Sequence, residues 1–182
     1  MGMAVAIPHY TVDDLEHFPH DGNRYELLDG VLLVTPAPGY LHETIVSNVV
    51  QALMLAVQVS GHARVFTRGV VSFPPGTQFE PDIMVVPAHV TAVQKWHELR
   101  DYWLVVEVYS PSSRVYDHEF KRDNYLRMGV QEVWLVDGVE RRVEITREIG
   151  RSETVSDAII WNPPTLDFQV RIELAGIFAG TI

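Results

Sequence analysis

Cysteine is absent from this chain of 182 residues. Its absence excludes disulfides, thiolate zinc sites and cysteine nucleophiles, and it fits a reducing compartment. The sequence also has no run of 18 apolar residues, so we expect no membrane span. Its first ten residues lack the basic region of a signal peptide. From these absences we expect a cytoplasmic protein that is not attached to a membrane.

Lysine is scarce, because only Lys95 and Lys121 are lysines among 14 basic residues, and the formal net charge is −10. Such a charge argues against loose electrostatic binding to nucleic acid. Since arginine serves wherever a positive charge alone suffices, a lysine marks a place that favours a compact ammonium group. The length is that of one domain, spanning residues 1–182 with its core at about 11–175.

One nearly unbroken apolar stretch, residues 103–109, contains a single acid, Glu107. β-Branched residues fill the middle of this stretch, which predicts a strand buried on both faces. Because side chains alternate along a strand, Val105, Glu107 and Tyr109 should share one face. A buried carboxylate is costly unless a cation or hydrogen bonds compensate it. Glu107 therefore indicates either a metal ligand or a buried ion pair.

The remaining pattern predicts an α/β (α+β) domain, with a central mixed β-sheet flanked by helices. Residues 29–30 and 137–138 are Asp-Gly pairs between apolar runs, a pattern typical of hairpins. Apolar residues recur at helical spacing over 42–59, which predicts an amphipathic helix. Other predicted elements are a short helix opening at Thr11, strands over 63–73, 79–86 and 168–174, a helix or ordered segment over 89–100, and a helix over 117–128 ended by Gly129.

A second acid, Asp82, follows Glu80-Pro81 at the start of a predicted strand. If that strand lies beside the Glu107 strand, the two carboxylates point into one cleft. Paired carboxylates beside backbone carbonyls suit Mg²⁺ or Mn²⁺. The alternative is structural, with Asp82 in a Pro-Asp turn and Glu107 in an ion pair.

Lys121 is the third candidate for this cleft. Helical spacing places it on one face with Tyr125 and Met128, while Arg122 turns away. A lysine in a helix is usually solvated, and this alternative stays open. The scarcity of lysine nevertheless favours a specific role for Lys121.

Together these motifs resemble the Uma-two family of restriction endonucleases, which belongs to the PD-(D/E)XK, or restriction-endonuclease-like, superfamily. The resemblance extends from about Thr11 to the C-terminus. The segments that carry it are 24–30, His42, Glu80-Pro81-Asp82, 107–112, 117–121, Tyr125 and 129–137.

The resemblance implies a nuclease core that depends on a divalent metal, Mg²⁺ or Mn²⁺. Asp82 and Glu107 would hold the ion, helped by the carbonyl of Val108. Lys121 would orient the attacking water or stabilise developing charge. Glu26 would be an auxiliary acid near the metal.

Some side chains near the proposed site carry weaker expectations. Tyr109 stands where the superfamily pattern has lysine, and the family supplies that lysine from the following helix, where Lys121 lies. His42 is a further auxiliary candidate, although a histidine at a helix start is more often structural. Arg114 and Arg122 are candidate phosphate contacts because they are close to the site in sequence.

Two functions follow from these expectations. The first is a metal-dependent endonuclease that hydrolyses phosphodiester bonds of DNA, and a homodimer is expected because cleaving both strands requires two sites. The second is a catalytically silent nuclease fold that serves as a dimeric interaction or regulatory module, which the acidic charge favours.

Overall fold

The computed structural model of the chain describes residues 8–92, 95–109 and 120–181. Its strands are β1 Arg24–Leu28, β2 Val31–Thr35, β3 Ala63–Thr67, β4 Val71–Phe73, β5 Thr77–Phe79, β6 Ile83–Pro87, β7 Leu104–Tyr109, β8 Val133–Asp137, β9 Arg142–Glu148, β10 Arg151–Val155, β11 Ala158–Trp161 and β12 Val170–Glu173. The α-helices are α1 Tyr40–Leu53, which continues as a π-helix over Met54–Gln58, α2 Arg122–Arg127 and α3 Leu174–Ile177. Short 3-10 helices cover Val12–His17, Ala88–Ala92 and Trp96–Glu98.

The largest sheet has six strands in the order β10-β9-β8-β7-β6-β3. Strands β7 and β8 are parallel, and the other neighbours are antiparallel. All six residues of β7 are buried, as predicted for a strand covered on both faces. A second, antiparallel sheet has the order β2-β1-β5-β4, and β11 pairs with β12. The expected mixed-sheet α+β fold is confirmed.

Each face of the six-stranded sheet has its own hydrophobic core. Helix α1, the β11–β12 pair and α3 pack on the face that carries Leu104, Val106 and Val108. The four-stranded sheet and α2 pack on the opposite face, which carries Val105 and Tyr109. Glu107 belongs to this second face by strand alternation. Its carboxylate therefore lies between the two sheets and α2.

Helix α1 with its π-helical extension, Tyr40–Gln58, is long and apolar enough to cross a membrane by length and composition alone. Its residues Ile45, Val49, Leu53 and Val57 are completely buried in the core. Their spacing forms the apolar stripe that the sequence predicts. One face of the segment therefore packs in the core, while residues such as Tyr40 and Leu55 on its other faces are exposed.

Two of the predicted strands are each divided in the structure. The predicted strand over 63–73 separates into β3 and β4, which belong to different sheets. The break follows Arg68, whose φ of 55° lies in the left-handed region. The predicted strand over 79–86 divides in the same way between β5 and β6, at residues 80–82. The chain thus passes from the large sheet to the small one and back, and the return places Asp82.

The local signals of turns and helix ends agree with the structure. Asp29 and Gly30 both have positive φ and join β1 to β2 as a hairpin. Gly129 has a φ of 94° just after α2, the usual conformation of a residue that ends a helix. The predicted start of the α2 helix at Asp117 lies outside the described residues. The sequence patterns did not indicate β10, because most side chains of Arg151–Val155 are polar and exposed and show no alternation. They did not indicate the short apolar strand β11 either.

Candidate active site

Neighbouring strands bring Asp82 and Glu107 together, as expected. Strands β6 and β7 are antiparallel and pair Ile83 with Val106. Asp82, which directly precedes Ile83, therefore lies beside Glu107, which directly follows Val106. The backbone N–H of Asp82 donates to Glu107 Oε2 at 3.4 Å. Both side chains are buried.

Lys121 reaches the same place from the segment that leads into α2. Its Nζ lies 3.4 Å from Glu107 Oε1 and 2.7 Å from Glu26 Oε2. Tyr125, one helical turn later, donates its hydroxyl to Glu107 Oε1 at 2.6 Å. Lys121 is buried, so it is not the solvated helix lysine of the alternative interpretation. Helical spacing therefore placed Lys121 and Tyr125 correctly on one face.

Asp82 is held by groups from three other elements. Arg24 Nη1 on β1 lies 2.6 Å from Oδ1, and His42 Nε2 on α1 lies 2.9 Å from Oδ2. The backbone N–H of Val108 donates to Oδ2 at 2.8 Å. The described contact of Val108 with the site is thus made by its amide.

Glu26 and Glu80 extend the polar cluster toward the four-stranded sheet. The N–H of Glu80 donates to Glu26 Oε1 at 2.8 Å, and Arg24 Nη1 donates to the Glu80 carbonyl at 3.3 Å. Glu26 is buried. Three buried carboxylates, Glu26, Asp82 and Glu107, therefore share one site with two buried or nearly buried cations, Arg24 and Lys121.

The electrostatics of the site maintain these charges. Burial opposes ionisation of Asp82, but the His42 hydrogen bond and the Arg24 charge outweigh it and lower its pKa. Burial likewise disfavours the charged form of His42, yet contact with Asp82 raises the His42 pKa above its ordinary value. For Arg24, burial is outweighed by the charges of Asp82 and Glu107, and its pKa is raised. Burial and the neighbouring Glu26 charge raise the pKa of Glu80.

The donor set fits a hard divalent cation by its chemistry. Asp82 Oδ1 and Glu26 Oε2 are buried and accept no hydrogen bond of ordinary geometry from the described residues, although each faces a cation. Mg²⁺ binds through one or two carboxylates and keeps several waters, and Asp82 with Glu107 supplies that number. Within the described residues, no three His, Asp or Glu side chains are grouped as a ready metal cluster. The Arg24 side chain would have to leave Asp82 Oδ1 for a metal to bind there.

The described polar contacts of Tyr109 and Arg122 are with acids outside this cluster. The hydroxyl of Tyr109 donates to Asp137 Oδ2 at 2.9 Å. Arg122 pairs with Asp123 and with Glu144, each at 2.9 Å, so the described contacts of its side chain are with acids. Arg114 lies outside the described residues.

Arg24 is the site residue that sequence reasoning missed as a functional candidate. In the sequence it is the first residue of the segment 24–30, which carried part of the family resemblance, and no site role was predicted for it. The signal that could have found it is a charge count. Three acids near one buried position need more positive charge than Lys121 alone supplies.

Comparison with known proteins adds the family. The sequence model described as "Uma2: Putative restriction endonuclease" matches residues 12–174, well over half of the chain. The chain belongs to this family. Its matched region includes Arg24, Asp82, Glu107 and Lys121. No match was found among the curated proteins.

A solved structure supports the fold. The chain is similar to a protein from Anabaena variabilis whose structure is titled "putative nuclease belonging to DUF820", with a TM-score of 0.76 and 20% sequence identity. The match covers 92% of this chain and 97% of that one. At this identity the likeness shows the fold alone.

Proposed function

We propose that this protein is a metal-dependent endonuclease that hydrolyses phosphodiester bonds of DNA at the site of Asp82, Glu107 and Lys121. The observation that carries the proposal is the convergence of two buried carboxylates and a buried ammonium from three separate segments. Buried charges are costly, and Glu107 stands in the middle of the sheet, where an apolar residue would pack without that cost. Membership of the Uma2 family supports the same reaction class.

Asp82 and Glu107, helped by the Val108 carbonyl, would hold Mg²⁺ or Mn²⁺, which polarises a phosphoryl oxygen and lowers the pKa of bound water. The chain's own residues prepare these ligands. His42 and the Val108 amide fix Asp82 Oδ2, while Tyr125 fixes Glu107 Oε1. Both carboxylates are therefore oriented before any ion arrives.

Lys121 supplies the fixed positive charge of the proposed reaction. Its ammonium lies 3.4 Å from Glu107 Oε1, so it is adjacent to the carboxylate that would bind the metal. From there it can orient a water by hydrogen bonding and stabilise the negative charge that develops on the phosphoryl oxygens. Burial strengthens this electrostatic effect. A homodimer remains our expectation, because one site cuts only one strand.

A catalytically silent fold is the second candidate, and one observation favours it. Arg24 and Lys121 already neutralise Asp82 and Glu26 as close ion pairs. Such pairs compensate the buried charges without any metal. In that case the same residues would hold the two sheets together, and the protein would act as an interaction or regulatory module.

Plasmid nicking distinguishes the two candidates. The purified protein is incubated with supercoiled DNA in Mg²⁺, Mn²⁺ or EDTA, beside the variants Asp82→Asn and Lys121→Met. We expect nicking that needs metal and falls by about a hundredfold or more in each variant, since single electrostatic contacts in active sites contribute on this scale. Asp157→Asn is the matched control, because Asp157 is exposed and its described ion pair is with Arg171, which is not a site residue.

Two results would contradict the proposal. Nicking that persists in EDTA, or that is equal in Asp82→Asn and wild type, would assign the cleavage to a contaminant or to another site. An absence of nicking together with no Mn²⁺ binding by calorimetry would favour the silent fold. Circular dichroism confirms that each variant is folded.

A further inference from the structure

A cleft of about 700 Å³ opens beside the candidate active site. We call it the side cleft. It is lined by residues of the segment between Val12 and Tyr25, and by Arg68, Val70 and residues 95–97. Glu80 and Gln78 also line it. Its volume is in the range of sites that hold a small organic molecule or a nucleotide, about 300–1,000 Å³.

The side cleft adjoins the active site at Glu80, which lines the cleft. The N–H of this residue contacts Glu26, and its carboxylate lies 3.6 Å from Arg68 Nη2. The backbone N–H of Arg68 in turn donates to the carbonyl of Asp82 at 3.1 Å. A molecule in the cleft would therefore lie next to the residues that hold Asp82.

The walls combine exposed aromatic and basic side chains. Trp96 is 42% exposed, and Phe66 supports it edge to face at 5.4 Å between ring centroids. Phe18 and Tyr25 also line the cleft, with their ring centroids 5.0 Å apart. Arg68 and Lys95 are exposed beside Trp96. Aromatic rings next to cations are the usual platform for unpaired bases and their phosphates.

Acidic residues limit what else can bind there. Asp13, Glu16 and Glu80 line the cleft together with the cations, and the whole chain carries a net charge of −10. A duplex presents two phosphate backbones, and the second would face these acids. A single strand can direct its phosphates to Arg68 and Lys95 while a base stacks on Trp96.

We propose that the side cleft binds an unpaired nucleotide of a nucleic-acid strand and delivers the neighbouring phosphodiester to the active site. This inference rests on the proposed nuclease function and names the form of its substrate. Stacking, rather than charge neutralisation over a long footprint, supplies the affinity. The substrate is thus a single-stranded or locally opened region.

Fluorescence anisotropy with a short labelled strand in EDTA tests this binding without cleavage. We expect wild type to bind the single strand at least roughly fivefold more tightly than the same sequence as a duplex, and Trp96→Ala to lose roughly fivefold or more. Arg68→Ala should also weaken binding. The matched controls are Phe168→Ala, whose side chain is 40% exposed, and Arg171→Ala, at 55% against 57% for Arg68. Both should bind like wild type.

Tryptophan fluorescence provides a second readout. Trp103, Trp134 and Trp161 are buried, so a base that stacks in the cleft should quench the emission of Trp96. We expect quenching in wild type and none in Trp96→Phe, although Trp96→Phe should keep most of the affinity because it retains an aromatic face. Separate titrations with a DNA strand and with an RNA strand of the same sequence show which sugar is preferred. A preference for either one supports nucleotide binding in the side cleft.

The outcomes separate this inference from the proposed function. Nucleotide binding in the side cleft would be overturned, even if the plasmid is nicked, by any of three results. These are equal binding by wild type, Trp96→Ala and Arg68→Ala, equal affinity for single strand and duplex, or no binding of any strand. If strand binding depends on Trp96 but no plasmid is nicked, the proposed binding in the side cleft is supported and the proposed nuclease activity is contradicted.

Discussion

Arg24 places a guanidinium against the Asp82 carboxylate, with a side chain that is only 10% exposed. In the absence of a metal, the two charges of this pair compensate each other, so neither is buried without a partner of opposite charge. We expect Arg24→Met to lower the free energy of unfolding in EDTA by about 3 kcal/mol, since it leaves a buried carboxylate without its partner. Urea denaturation measures the loss.

A second variant separates the charge from packing. Arg24→Met combined with Asp82→Asn should recover at least half of the lost stability, because the lone buried charge is gone. Arg171→Met, which removes an exposed arginine paired with Glu173, should leave the unfolding curve unchanged. If the single and double variants were equally unstable, the guanidinium would act through packing rather than charge.

At the residue scale, the sequence predicted which side chains meet but not what neutralises them. Alternation along β7 gave the face of Glu107, and helical spacing put Lys121 and Tyr125 on one face. That Lys121 reaches the cleft of Glu107 was implied only by the family resemblance. The Asp82–Glu107 contact needed one more assumption, that their strands are neighbours. Arg24 escaped prediction because its contact with Asp82 depends on how the four-stranded sheet packs on the six-stranded one.

The hairpin between β8 and β9 depends on an acid at its turn. Asp137 Oδ1 accepts hydrogen bonds from the amides of Val139 and Glu140, and Oδ2 accepts the Tyr109 hydroxyl. Burial would raise the pKa of Asp137, but these hydrogen bonds outweigh it, so the pKa lies below its ordinary value. The ionised carboxylate therefore stabilises the folded hairpin.

This pKa gives a pH dependence with a definite sign. A carboxyl with a lowered folded pKa contributes stability above its unfolded pKa, about 3.9, and loses it as the pH falls through the folded value. The difference in unfolding free energy between wild type and Asp137→Asn should be largest near neutral pH and shrink in acid. Denaturation curves over pH 2–7 measure it. A difference that is constant with pH would show that charge at Asp137 is irrelevant.

At the element scale, prediction worked where a signal was local. The Asp-Gly hairpin, the α1 stripe and the Gly129 helix end are set by residues within a few positions of each other. The divided strands were predicted as continuous because their apolar content does not show that the chain changes sheets at residues 68–70 and 80–82. Only packing between the sheets determines those crossings.

The whole molecule has an excess of ten negative charges, so a polyanion is repelled everywhere except near local cations. In the side cleft these are Arg68 and Lys95. With two phosphate contacts, the slope of log affinity against log salt should be about −1.4 for a single strand. Anisotropy titrations across salt concentrations test this. A slope steeper than about −4 would require more cations than the cleft has and would indicate another surface.

The prediction of a single domain remains an expectation at this scale, as does the homodimer. The mixed sheet and the family followed from the combined spacing of motifs, each of which is weak alone. The two-sided core was foreseeable from β7, whose apolar residues cover both faces. The number of strands was not, because polar edge strands such as β10 have little hydrophobic pattern to detect.

The two crossings between sheets have a mechanical consequence. Asp82 is located on the return crossing and Arg24 on the small sheet, whereas Glu107 belongs to the large one. Any partial opening that separates the sheets would carry Arg24 away from Asp82, and it would open the core between the sheets at the same time. A partly opened molecule would then lose the arrangement of charges on which the proposed activity depends.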